Sequence, residues 1–130
     1  MLSDFYAYLA NDAGLAALLG GSGRIYRDTS PKDTPSPYLV YGLSADGSDE
    51  EILDEISVRV SVYSASALLA DRISNRLKAM LDVQGNISIP SADYRIYWCK
   101  QLAGSGIYEP DTKLYNRALV FTLKFTRRED

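Results

Sequence analysis

A chain of 130 residues with 46% hydrophobic and 24% charged side chains has the make-up of one soluble globular domain, spanning residues 1–130 and long enough to bury a core without staples. It has no histidine and a single cysteine, Cys99, which excludes histidine-dependent nucleophilic catalysis and any intrachain disulfide. A net charge of −3 suggests no duplex-binding surface, and no apolar run approaches the ~20 residues of a membrane span.

In chain order, residues 3–19 are expected to be helical in two short pieces. Ser3 or Asp4 is the candidate cap of the first, because a short side-chain oxygen there accepts from free backbone N–H groups. Phe5, Leu9, Leu15, Leu18 and Leu19 supply apolar positions, while Asn11, Asp12 and Gly14 interrupt them. Asp12 then caps the second piece, and Gly20-Gly21 ends it. A phosphate cradle needs its glycines ahead of a helix, so Gly20-Gly21-Ser22-Gly23 reads as a stop. Arg24-Ile25-Tyr26 is a short strand candidate. Pro31, Pro35 and Pro37 make residues 28–37 a loop or extended arm, since proline lacks a donor and fixes φ.

Tyr38–Leu43 reads as a strand, apolar on both faces and therefore not at a fully wet edge. Asp46-Gly47 is a turn signal, which joins that strand to residues 56–63 as an antiparallel hairpin. Between them, Asp46, Asp49, Glu50, Glu51, Asp54 and Glu55 place six carboxylates within ten residues. The spacing does not fit a calcium loop, and Ile52 and Leu53 break the run, so a solvated acidic arm is expected and no metal site is assigned.

The core unit follows. Ile56, Val58, Val60 and Val62 alternate with Ser57, Arg59 and Ser61, as in a half-buried strand. Leu69, Ile73, Leu77 and Met80 then recur at helical spacing, so that the helix can lay its stripe on the strand's apolar face. Beyond Gly85-Asn86, Ile87–Pro90 is at most a short strand and Tyr94–Leu102 a longer one. Cys99, beside Trp98, is read as a buried, inert thiol. Gly104-Ser105-Gly106 is expected to be a flexible turn. Tyr115–Thr126 forms a long last strand, with Leu119, Phe121, Leu123 and Phe125 on one side, and the tail 127–130 is expected to fray. These elements predict an α+β fold: a mostly antiparallel sheet with helices packed on one face and a long hairpin arm, in the order α-β-β-β-α-β-β-β.

Two features of distribution bear on partners. Residues 1–55 carry ten acidic and three basic side chains, and residues 56–130 carry seven and eleven. Such polarity suits head-to-tail contact between copies, or reflects two unrelated local excesses on a solvated surface. Ten tyrosines are many for this length. Tyr26, Tyr38, Tyr41, Tyr63, Tyr97, Tyr108 and Tyr115 suit either an interface or the edges of the core.

Taken together, the blocks DAGLAALLGGSGRIY, PSPYLVYGLS, EISVRVSVYSASALLADRISNRLKAML and GIYEPDTKLYNRALVFTLKF, in that order, resemble the tail completion family of long-tailed bacteriophages and prophages. The resemblance spans about residues 2–126 and extends to tail terminator and tail-to-head joining proteins. It implies a non-enzymatic virion protein, assembled in the bacterial cytoplasm, that forms a homohexameric ring on the head-proximal end of the tail. The implied partners are copies of itself, the tail tube protein and the head connector, with DNA passing through the lumen and no membrane contact. No catalytic residue, cofactor or metal ligand comes with it. Asp46, Asp49, Glu50, Glu51, Asp54 and Glu55 are the expected interaction residues, facing lumen or tube, where a negative surface repels DNA phosphates. Two other readings stand beside it: a head-side connector ring, and a small non-catalytic ligand-binding domain.

Overall fold

The computed structural model describes residues 2–30, 34–43, 55–81, 89 and 94–127. Its elements are α1 (Leu2–Ala10), α2 (Ala13–Leu19), β1 (Ile25–Arg27), β2 (Tyr38–Leu43), β3 (Glu55–Ser64), α3 (Ala67–Leu81), β4 (Tyr94–Glu109) and β5 (Leu114–Arg127). The five described strands form one sheet in the order β1-β2-β3-β5-β4. Only β1 and β2 run parallel; every other pairing is antiparallel. Ile89, where a short strand was expected, makes a single bridge. The expected α+β class holds, and the expected order of elements roughly matches, with the bridge at Ile89 in place of the first strand expected after α3.

The N-terminal helices break where the side chains require it. Asp12 is extended (φ −81°, ψ 114°), and its carboxylate accepts from the Leu15 N–H at 2.7 Å. Gly20, at φ 82°, closes α2 in the left-handed conformation that L side chains avoid. Ser3 and Asp4, expected as caps, instead lie in the first turn, because α1 already begins at Leu2. Between α2 and β1, Ser22–Arg24 makes one 3-10 turn. Arg24 Nη1 donates to the Ser36 carbonyl at 3.1 Å and so holds the proline segment, in which the Ser36-Pro37 peptide is cis.

The alternation read in β3 sorts the sheet into two faces. Ile56, Val58, Val60 and Val62 are buried, as are Leu39 and Tyr41 on β2 and Leu119, Phe121, Leu123 and Phe125 on β5. Against this face packs α3 through Ile73, Leu77 and Met80, capped at its start by Ser66 Oγ, which accepts from the Leu69 N–H. Phe5 and Leu9 of α1 and Leu15 and Leu19 of α2 complete the core. Tyr8 ties α1 to the end of α3 by donating to the Met80 carbonyl at 3.0 Å. Fully buried Cys99 sits in the same core.

One expected boundary is wrong. Gly104-Ser105-Gly106 is not a turn: β4 runs through it, and the chain reverses at residues 110–113 instead. The glycines serve close approach. A Cβ on Gly104 would stand 2.7 Å from Gln101 Nε2, and one on Gly106 would stand 2.9 Å from Arg117 Cδ.

Candidate interaction surfaces

The second face of the sheet carries no helix among the described residues. Cross-strand register builds it from Tyr38, Val40 and Gly42 on β2 opposite Tyr63, Ser61 and Arg59 on β3. On the other side of β3, Asn116, Ala118 and Val120 of β5 stand opposite those same three residues. Short side chains dominate, so the surface is low, and Arg59 rises from it with no ion pair among the described residues. Two shallow depressions of about 200 and 220 Å³ flank Arg59.

Along one end of this face runs a row of three phenols. The Tyr38 and Tyr63 rings stack at 4.9 Å with planes 16° apart, and Tyr26 meets Tyr38 edge-on at 6.2 Å. Burial, reinforced by the Glu109 carboxylate and the neighbouring Tyr38, pushes the Tyr63 hydroxyl above its ordinary value. At neutral pH it is therefore an uncharged donor and acceptor beside an apolar ring, a combination suited to a protein contact.

The tyrosines divide among three environments. Tyr26, Tyr38 and Tyr63 line the open face. Tyr41 is buried on the helix side, with Phe5 at 6.0 Å and Tyr6 at 6.1 Å. Tyr108 and Tyr115 pair at 4.8 Å near the tip of the β4–β5 hairpin, where the Arg117 guanidinium lies 5.8 Å from the Tyr115 ring. The Tyr97 side chain lies outside the described residues.

Of the six acidic residues expected to interact, Asp46, Asp49, Glu50, Glu51 and Asp54 lie outside the described residues. Glu55 opens β3, its Cα paired with that of Lys124. Among the described residues no group of acidic or thiol side chains is arranged to hold a metal ion, and no helix is long and apolar enough to cross a membrane. What stands out instead is shape: helices on one side, an open aromatic face on the other, and a long hairpin at one edge.

This chain matches the family model described as tail completion protein gp17 over residues 3–125. It belongs to that family. The chain is thus a structural tail protein, and its place is the phage virion. A solved structure titled "Virion of native gene transfer agent (GTA) particle" contains a chain with the same fold. The TM-score is 0.69 at 19% identity, covering 95% of this chain and 91% of that one. No curated protein matches the sequence. The residues matched by the family model include those of the open face and of the β4–β5 hairpin tip.

Sequence reasoning missed the segregation of the phenols. Alternation places Tyr63 opposite Val62 and Tyr38 opposite Leu39, but which strands stand side by side is set by tertiary pairing.

Proposed function

We infer that this tail completion protein closes the head-proximal end of the tail tube as a ring, six copies in the closed form, and presents the other side of the ring to the head connector. The match of residues 3–125 to the tail completion family carries this reading. The fold supports it: a domain with a helical side and an open aromatic side offers two unlike surfaces, as heterologous, ring-closing contacts require. The role is assembly, not catalysis. Asp46, Asp49, Glu50, Glu51, Asp54 and Glu55 form an acidic arm on the ring surface, keeping DNA phosphates from adhering as the genome passes.

Electron microscopy of lysates from a phage or prophage lacking this gene tests the reading. Overlong tubes are the result expected if the protein stops tube growth. Tails of normal length beside unjoined, DNA-filled heads would confine it to joining. Normal infectious particles would overturn the proposal.

A further inference from the structure

The depressions of about 200 and 220 Å³ on the open face share Arg59, Ser61 and Tyr63, so they adjoin as one trough across the strands. Short side chains, Val40, Ser61 and Ala118, line its floor, and Arg59 and Tyr63 stand over it. Arg59 is exposed and has no ion pair among the described residues. Beside it stands an acid. Gly42 is the cross-strand partner of Arg59, and a Cβ there would lie 2.6 Å from Asp28 Oδ1, so the missing side chain leaves the carboxylate room on this face. Asp28 is held in place, at φ 64°, by its N–H donating to the Tyr41 carbonyl at 2.7 Å. Its ion pair with Arg27 is long, 3.8 Å, and both side chains are more than half exposed, so water screens it. The trough thus presents one base and one acid side by side.

The tip of the β4–β5 hairpin presents the converse. Its turn is tied to itself: the Lys113 N–H donates to the Glu109 carbonyl at 2.8 Å, and Thr112 Oγ1 and Asn116 Nδ2 reach the Glu109 carboxylate at 3.4 and 3.5 Å. Glu109 is thereby used within the turn. Asp111 and Lys113 are exposed and have no ion pair among the described residues. Lys113, at φ 59°, is fixed in the left-handed conformation that closes the turn. Tyr108, just before it, is 47% exposed. The tip cannot reach the trough of its own copy. Arg59 pairs with Val120, seven residues beyond Lys113, and at ~3.3 Å per residue that is roughly 23 Å along the strand.

We propose that the open-face trough receives the β4–β5 hairpin tip of a second copy of this chain. Charge selects that occupant: Asp111 of the tip meets Arg59, and Lys113 meets Asp28. Both halves of the complement lie on this one chain, and neither is matched within a single copy. The exposed ring of Tyr108 then comes to the stacked Tyr38 and Tyr63, an aromatic wall at the side of the trough. Because the turn is already closed by its own hydrogen bonds, little ordering opposes its docking. The contact is heterologous, tip to face, so each copy inserts its hairpin into one neighbour and accepts that of the next. This inference rests on the ring reading above and says which surfaces meet.

The test is a charge exchange, read by electron microscopy as the fraction of tails that carry a ring and by infectious titre. Arg59→Asp alone and Asp111→Arg alone each set like charges together, and each is expected to lower both readouts by about tenfold or more. The two substitutions in one chain restore opposite charges between copies and should recover most of the loss. Ring-bearing tails at parental frequency in both single variants would overturn the docking while leaving the ring reading intact. A double variant no better than the worse single one would also overturn it. Should a single variant lack a cooperative melting transition, cross-linking replaces the exchange. Thr112→Cys with Val40→Cys is treated in assembled tails with a short bismaleimide, the parent chain with buried Cys99 serving as control. A ladder from dimer upward that needs both cysteines is expected. Uncross-linked chains in tails that visibly carry the ring, or a link internal to one copy, would overturn the proposal.

Discussion

Asp12 holds two elements with one carboxylate, and its replacement separates the two contributions. One oxygen accepts from the Leu15 N–H at 2.7 Å and from Arg76 Nε at 2.8 Å, while the other accepts from Arg76 Nη2. The first bond caps α2; the others tie α2 to α3. Alanine removes all three. Loss of an N-cap costs about 1 kcal/mol. With an unfolding entropy of roughly 2.1 cal/mol/K per residue, that lowers Tm by about 4 °C for a domain of this length. The tie to Arg76 adds less, because the guanidinium side chain is 42% exposed and its attraction is screened by water and salt. Asparagine caps as well as aspartate but cannot form the ion pair. Asp12→Asn should therefore keep most of the parent Tm, and its small deficit should shrink toward 1 M salt. Asp12→Ala should stay about 4 °C below the parent in either salt. The Arg76 hydrogen bonds, helped by the Leu15 N–H and opposed by partial burial, hold the Asp12 carboxyl below its ordinary value of 3.8. A depressed folded-state value means that the contribution is fully present above 3.8 and is lost as pH falls through the lower, folded value. The difference between parent and Asp12→Asn should close in that acid range. Thermal melts followed by circular dichroism read all of this. Equal Tm values for Asp12→Asn and Asp12→Ala would refute the capping argument.

Phe5 is fully buried against Tyr41, so Phe5→Ala should cost about 3–5 kcal/mol. That is a large share of a typical domain stability of roughly 5–15 kcal/mol, and urea denaturation would show it as a lower midpoint at unchanged slope. Neutralising Asp49, Glu50, Glu51, Asp54 and Glu55 to their amides should leave the melting transition cooperative but reduce infectious titre. A full titre from that variant would remove the acidic arm from the proposed function.

What the sequence determined by itself was local and periodic. Helix limits at Asp12 and Gly20 follow from which side chains can satisfy a free N–H or adopt positive φ, and both are properties of single residues. The burial of Ile56, Val58, Val60 and Val62 follows from a period of two, and that of Ile73, Leu77 and Met80 from helical spacing. The order of the four hydrophobic blocks was enough to suggest the tail completion family. Tertiary structure decided the rest. Gly104-Ser105-Gly106 has the composition of a turn, yet pairing with β5 draws it into a strand, because the small residues leave room for Leu119 and Arg117. The row of Tyr26, Tyr38 and Tyr63 exists only because β1, β2 and β3 lie side by side, and no local pattern encodes that adjacency. Likewise, the place of β4 at the end of the described strand order β1-β2-β3-β5-β4 follows from which strands pair, and no local pattern in Tyr94–Glu109 encodes it.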